Sequence, residues 1–325
     1  SAVFLYGGWR VISGAISVGT LVAFAAYQMR LMSPIQGLMG IYASIASAKV
    51  SLTRVQEILH TPIDVTEPDH PIPLADCDGA VTLEDVGYRF DRATVLDGVT
   101  IALAPREHVA IVGESGVGKS TLGELLVRHT DPERGTIRLD GHDVRQLSLE
   151  TLRRHVLTVE TDPFVFHATL AANLRVAAPE ADERALRDAL TLVGLGDWMQ
   201  TLPDAMATVL GERGRAMSTG ERQRLALARA VLADPRVLIL DEATSALDAA
   251  TESLVMTALQ PWLAQRTVVF ITHRPAVAAL APRAVVLRGG RVVADGLSCD
   301  VLAQSGPMHV AAPSAMNPPH APQHA

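Results

Sequence analysis

Nine consecutive residues, GESGVGKST at positions 113–121, constrain this chain more than any other stretch. They match G-x-x-x-x-G-K-[ST], a loop whose glycines let successive backbone N–H groups turn inward around phosphates. Gly113, Glu114, Ser115, Gly116, Val117 and Gly118 form the expected cradle, and Thr121 closes the motif. Lys119 would reach the β- and γ-phosphates as a point charge, and Ser120 would place its hydroxyl on Mg²⁺. A helix starting here would aim its positive end at the anion. A glycine-rich turn that matched by chance would lack the flanking pattern found here. The apolar strand HVAIV (108–112) runs into the loop, and a helix with Leu122, Leu125 and Leu126 on one face runs out of it.

Composition narrows the alternatives. With a net charge of −7 and a pI near 5.9, the chain lacks the basic face that nucleic-acid binding normally requires. Its two cysteines, Cys77 and Cys299, show no C-x-x-C spacing, so neither a disulfide frame nor a zinc site is expected, and a reducing, cytosolic setting suits them. Apolar residues make up 48% of the chain, and the surplus lies at the N-terminus. Ser1 falls inside an apolar run with no basic n-region, so the start reads as a fragment rather than a signal peptide.

Residues 11–29 carry no charge and approach the length that crosses a bilayer, so a transmembrane helix is the leading expectation. A buried core helix is the competing one, because Ser13, Ser17, Thr20 and Gln28 dilute the hydrophobicity. Gly14 and Gly19 are expected to mark a turn near the membrane surface, with the span beginning near Ile16 and residues 1–8 ending an earlier span. Arg30 would then face a cavity or snorkel. After Pro34 a long helix is expected (Ile41, Ile45, Ala48, Leu52, Val55, Leu59), and Lys49 and Arg54 place that end in the cytoplasm. Residues 61–79, with Pro62, Pro68, Pro71 and Pro73, read as an extended linker.

A second domain is expected from Ala80. VTLEDVGYRF and VTIALAP flank Asp97-Gly98, which reads as the turn of an antiparallel pair. Further strands are expected at 136–139, 155–159, 237–240 and 267–271, with mainly helical structure over 182–233. Such apolar strands with helices between them imply a sheet buried on both faces. The tail from 305 is rich in Pro, Ala and His and reads as disordered; His309, His320 and His324 are solvated residues on this view.

RVLILDE (236–242) is an apolar strand ending in two acids. Ligands bind beyond the carboxyl ends of strands in open α/β sheets, so Asp241 would face Mg²⁺ and Glu242 would polarise an attacking water. TVVFITH repeats the arrangement and delivers His273 to a strand end.

Taken together, GESGVGKST, MSTGERQRLALARA (217–230), VLILDEATSALD (237–248) and ITH (271–273) resemble, in this order, an ATP-binding cassette exporter subunit. The resemblance implies a P-loop NTPase cassette: a mixed α/β core with an antiparallel β subdomain and a helical subdomain, preceded by transmembrane helix. Residues 1–60 would be the end of a membrane domain (the close of its fifth helix, and its sixth), 61–79 a linker, 80–303 the cassette and 304–325 a tail. It implies that Ser218, Thr219, Gly220 and Glu221 cap the γ-phosphate of ATP bound to a second subunit, homo- or heterodimeric, in a head-to-tail pair. The loop from Ser245 to Asp248 would cross that interface. Phe90 would stack on adenine, and TVLGERG (208–214) would couple the cassette to membrane helices. ATP and Mg²⁺ are the implied cofactors, and the lipid bilayer of a cell membrane is the implied surroundings.

Three positions depart from the family's pattern. Thr161 stands where a Gln contacts Mg²⁺, with Glu160 as its substitute only if the register slips; Thr219 replaces a common Gly, and Glu221 a frequent Gln. Two readings follow. One is a hydrolysing exporter subunit; the other is a degenerate, regulatory cassette in an unequal pair. A soluble cassette ATPase is opposed by the apolar N-terminus.

Overall fold

The computed structural model describes residues 2–60, 64–74, 76–91, 93–211 and 214–304. The chain divides into two units, Ser1–Ile63 and Asp64–Ala325. The tail from 305 onward and residues Glu212 and Arg213 of the 208–214 segment lie outside the described residues.

The first unit is helical. α1 (Ala2–Ile12) is followed by a turn in which Gly14 takes φ 72°, and α2 (Val18–Leu59) then runs for 42 residues. Ser17 caps α2, its hydroxyl accepting the Thr20 N–H, so the break expected at Gly14 is present. Gly19 lies inside α2 rather than in the turn, because the cap fixes the helix start one residue before it. Pro34 sits within α2, and the helix continues through it. Among the described residues no helix is both long and apolar enough to cross a membrane. The stretch expected to span is split by the 13–17 turn, and its second part carries Thr20 and Gln28 before Arg30. Large apolar side chains on α2, such as Tyr27 and Met29, are exposed.

The second unit is built on two sheets. In chain order its strands are β1 (Val81–Phe90), β2 (Ala93–Leu103), β3 (His108–Gly113), β4 (Arg134–Leu139), β5 (His142–Asp143), β6 (Val156–Val159), β7 (Val237–Asp241), β8 (Thr267–Thr272), β9 (Arg283–Arg288) and β10 (Arg291–Leu297). The antiparallel sheet has the order β2-β1-β4-β5, and the six-stranded sheet the order β10-β9-β3-β8-β7-β6. Within the latter, β9, β3, β8, β7 and β6 pair in parallel and only β10 runs antiparallel. Every residue of β8 is buried, as a strand covered on both faces requires.

The helices of this unit are α3 (Lys119–Leu126), α4 (Leu149–His155), α5 (Leu170–Arg175), α6 (Glu183–Leu192), α7 (Gly196–Gln200), α8 (Thr219–Ala233), α9 (Ala249–Leu263), α10 (Pro275–Ala278) and α11 (Ser298–Gln304). One core fills the space between the two sheets and α3, around Leu83, Val99, Ile111, Leu122 and Ile137. The other joins the opposite face of the parallel sheet to α5, α6, α8 and α9, around Leu174, Leu190, Leu225, Leu238 and Val255.

Asp97-Gly98 is not a turn. The β1–β2 pair closes instead at Phe90 opposite Ala93, and both Asp97 and Gly98 lie inside β2. The register slips there, since Val86 faces Val99 while Tyr88 faces Leu96, which makes the pair a bulge. Gly98 holds φ 72°, and Asp97 is fixed by Arg134, Arg291 and the Gly290 carbonyl. Tertiary partners therefore use the Asp-Gly geometry to bend a strand rather than to end it.

Residues 64–74 are bound to the cassette. Arg128 donates to the Thr66 carbonyl at 2.9 Å, the Leu149 N–H donates to the Glu67 carboxylate at 2.7 Å, and the Ile72 N–H donates to the Gln146 carbonyl at 2.8 Å.

Candidate functional site

The phosphate-loop motif joins β3 to α3, as its spacing requires. Two glycines are needed for close approach. A Cβ on Gly113 would stand 2.6 Å from the Leu287 carbonyl oxygen, and one on Gly118, at φ 103°, would stand 2.8 Å from Leu96 Cδ2. Gly116 also has a positive φ, 79°, but faces open space. Lys119 is 6% exposed and folds back over the loop, donating to the Gly113 carbonyl at 3.0 Å and the Glu114 carbonyl at 2.8 Å. Burial lowers its pKa, with the charges of Glu242 and Asp241 opposing. An open cavity of about 420 Å³ lies over the loop, and Ser115, Gly116, Lys119, Thr121, Phe90 and Glu242 are among its lining residues. Phe90 is 72% exposed at the end of β1, a free aromatic face at the rim.

Adjacent strands deliver the acids and the histidine. Asp241 ends β7 directly beside Ile271 of β8, and His273 follows β8. Asp241 is hydrogen-bonded to Ser120, and its pKa is raised chiefly by burial, with Ser120 opposing and Glu242 adding to the rise. Glu242 takes φ 47°, a conformation that costs a non-glycine residue on the order of 1 kcal/mol or more. It is held on both sides: its N–H donates to the Ile271 carbonyl, and its own carbonyl accepts the Ser245 N–H, each at 3.0 Å. Its Oε1 lies 2.6 Å from His273 Nδ1. Behind it Arg274 forks onto the Glu252 carboxylate at 2.7 and 2.9 Å, and the Thr244 hydroxyl donates to the same carboxylate at 2.6 Å.

A second cavity of about 340 Å³ opens beside Ser120 and Asp241, with Glu160, Thr161 and Asp162 on its far wall. Thr161 donates its hydroxyl to the Asp241 carbonyl at 3.0 Å. Among the described residues no cluster of three or more His, Cys, Asp or Glu side chains could enclose a metal ion. Ser120 and Asp241 are oxygen donors of the kind Mg²⁺ takes, and Mg²⁺ commonly completes its shell with water and substrate phosphate. The donor set therefore fits an ion bound together with a nucleotide.

Ser218, Thr219, Gly220, Glu221 and Asp248 do not line either cavity. Ser218 and Glu221 form a capping box at the start of α8, with hydrogen bonds of 3.2 and 2.8 Å. Thr219 is exposed, and its hydroxyl accepts from Arg222 at 3.2 Å. A Cβ on Gly220 would sit 3.2 Å from the Ala246 carbonyl oxygen. Asp248 caps α9 through Thr251, whose hydroxyl and N–H hold its carboxyl pKa below the usual range. The chain thus brings together Lys119, Ser120, Asp241, Glu242, His273 and Thr161, and leaves the start of α8 facing outward.

One residue at this junction was not singled out in the sequence: Gln223. Its signal was an amide on the apolar stripe of α8, four residues before Leu227 and seven before Ala230. Its side chain is fully buried.

Comparison with known proteins places these features in context. Residues 96–245 match the family model described as ABC transporter. The chain is 37% identical over 310 residues to an ATP-dependent lipid A-core flippase of Alkalilimnicola ehrlichii, covering 94% of this chain and 52% of the relative. It is 39% identical over 311 residues to a β-(1→2)glucan export ATP-binding/permease protein of Rhodopseudomonas palustris, covering 94% and 51%. A solved bacterial Atm1-family ABC exporter with ATP bound superposes with a TM-score of 0.74 at 32% identity, covering 90% of this chain and 52% of that one. The chain spans about half the length of the curated relatives it matches.

Proposed function

Because this chain carries an ABC transporter ATP-binding domain, we propose that it is the ATP-hydrolysing portion of an exporter subunit that couples Mg-ATP turnover to movement of a substrate across a membrane. The observation that carries the reading is the convergence of Lys119, Ser120, Asp241 and the Glu242–His273 pair, at 2.6 Å, on the mouth of one phosphate-shaped loop.

The mechanism follows from these groups. Lys119, already desolvated, exchanges its two loop carbonyls for phosphate oxygens as nucleotide enters. Ser120 and Asp241 would hold Mg²⁺, which when bound would supply positive charge against the phosphates. Phe90 offers its ring to adenine. Glu242 polarises the attacking water, and His273 orients that carboxylate from the neighbouring strand. The outward start of α8 caps the nucleotide of a second subunit, which accounts for its separation from this chain's own loop. Residues 1–60 belong to the membrane portion, and the cassette faces the cytoplasm.

A second reading, a cassette that binds ATP but signals weakly, draws on Thr161. Its hydroxyl is already committed to the Asp241 carbonyl and has no reach toward a partner.

The test is Mg-dependent ATPase and ATP binding by the full chain and its Lys119→Ala variant. Loss of both in the variant is expected. Unchanged ATP affinity in Lys119→Ala would remove the loop as the nucleotide site.

A further inference from the structure

The strongest unassigned feature is the buried amide of Gln223, which ties three separate segments to α8. Its Nε2 donates to the Thr161 carbonyl at 2.8 Å and to the Ser245 hydroxyl at 3.1 Å, and the Glu242 carbonyl lies 3.4 Å away. Its Oε1 accepts the Ala246 N–H at 3.0 Å. One side chain thus holds the loop after β6, the residue that follows β7, and the loop leading to α9. The neighbouring Arg222 adds a second tie to the first of these, donating to Asp162 at 3.1 Å.

We infer that Gln223 is the positioning residue through which a displacement of α8 reaches Glu242. This rests on the proposed role of Glu242 as the group that polarises water. The physical argument starts from Glu242's backbone, which stands at φ 47° and persists only where its surroundings over-determine it. On one side the Ile271 carbonyl fixes its N–H; on the other, the Ser245 N–H and the Gln223 amide converge on its carbonyl. The amide also binds Ser245 and Ala246 themselves, so the loop that secures Glu242 is in turn secured by α8.

The same α8 is capped by Ser218, at an exposed end that the proposed function gives to a second subunit. Contact at Ser218–Gly220 pushes on a helix whose next turn carries Gln223. A rigid helix transmits that push within its length. The amide has no slack to absorb it, because its near neighbours are two backbone carbonyls and a backbone N–H in close-packed surroundings. Closure at the start of α8 would therefore adjust where the Glu242 carboxylate points and, through Thr161, the carbonyl of Asp241. Gln223 makes no hydrogen bond to residues 113–121 of the phosphate loop and meets Glu242 only at its backbone carbonyl, so ATP affinity should change little.

The experiment uses the full 325-residue chain in detergent, with Gln223→Glu (the same shape without the N–H donors) and Gln223→Met (an apolar side chain of similar length). ATP affinity and binding stoichiometry are expected to stay within about two-fold of the parent while kcat falls roughly ten-fold or more, as for an interaction that matters only in the transition state. In a Glu242→Gln background, single-turnover hydrolysis should show no further loss when Gln223→Met is added, because both changes act through one carboxylate. A Gln223→Met effect of equal size in both backgrounds, or a fall in binding stoichiometry that parallels kcat, would reduce Gln223 to a structural residue. Parental kcat in both Gln223 variants beside an inactive Glu242→Gln would remove the role of Gln223 alone. Parental kcat in Glu242→Gln would remove the assignment of Glu242, and this inference with it.

Discussion

The Glu242 carboxylate and the His273 imidazole meet at 2.6 Å across adjacent parallel strands, with Nδ1 of the ring facing Oε1. That contact fixes the division of labour. With Nδ1–H donated to the carboxylate, Nε2 is left facing away, free to accept from or donate to a phosphate or water. Glu242→Gln keeps the shape and one acceptor but loses the charge. It is expected to leave ATP binding intact and lower turnover on the order of 10² or more, while His273→Ala, which removes only the orienting partner, should cost less. Steady-state Mg-ATPase beside equilibrium nucleotide binding checks both. Turnover of Glu242→Gln within a few-fold of the parent would end its assignment.

Thr161 tests coupling rather than chemistry. Its hydroxyl spans only to the Asp241 carbonyl at 3.0 Å, whereas the cavity beside it is wide enough for a longer side chain. Thr161→Gln in a subunit carrying its complete membrane portion should raise substrate-stimulated ATPase more than basal ATPase. If the two variants match in both assays, this departure has no functional weight.

The sequence carried the phosphate loop, the strand-end acids and His273 because each is a local pattern: alternation of strand, glycine turn and helix within a few residues. β3, β6, β7 and β8 were legible for the same reason, within one residue of their expected bounds, whereas β9 (Arg283–Arg288), the fifth parallel strand, was not expected. Asp97-Gly98 was misread because the same dipeptide serves a hairpin turn or a bulge, and only the distant partners Arg134 and Arg291 decide between them. The helix start at Val18 escaped because Gly19 suggested a longer turn, while the cap at Ser17 had already ended it. Gln223 escaped because its four neighbours lie 19 to 62 residues away in sequence, and no window along the chain contains them.

Acid should act on the join between residues 78–80 and Asp140, the residue that follows β4. Asp140 accepts the N–H groups of Asp78, Gly79 and Ala80 at 2.9, 3.2 and 2.7 Å. Burial alone would raise its pKa, but the Cys77 thiol and those three N–H groups outweigh it and hold the carboxyl below the usual range. Burial first, and the same carboxylate after it, push the Cys77 thiol up to about 12. A depressed carboxylate stabilises the fold above its unfolded pKa, and that contribution is lost as pH falls through the folded one. Asp140→Ala should therefore cost about 2 kcal/mol at neutral pH, the scale of hydrogen bonds to a charged group. The gap should close toward pH 3, measured by urea unfolding. An equal gap at both pH values would show that the carboxylate's charge contributes nothing.

The entry segment supplies the last prediction. Read from its prolines alone, 61–79 is a spacer, and a cassette cut at residue 80 would lose nothing by its removal. The structure ties it down instead. The buried Arg128 guanidinium, 3% exposed, donates to the Thr66 carbonyl, Glu67 accepts the first N–H of α4 (that of Leu149), and Ile72 is both hydrogen-bonded to Gln146 and packed on the core. Cutting at 80 would also remove the Asp78 and Gly79 N–H donors of Asp140 and leave the buried Arg128 guanidinium, one of whose nitrogens has no partner among the described residues, with Asp131 as its side-chain partner. At about 1 kcal/mol for each neutral hydrogen bond and more for those to charged groups, the loss amounts to several kcal/mol. For a domain of this size each kcal/mol moves the melting temperature by roughly 2–4 °C. A fragment of residues 64–304 should therefore fold, bind Mg-ATP and melt about 10 °C above a fragment of residues 80–304. Calorimetry of the two, with and without nucleotide, measures the difference. Coincident melting curves would return 64–79 to the status of a spacer.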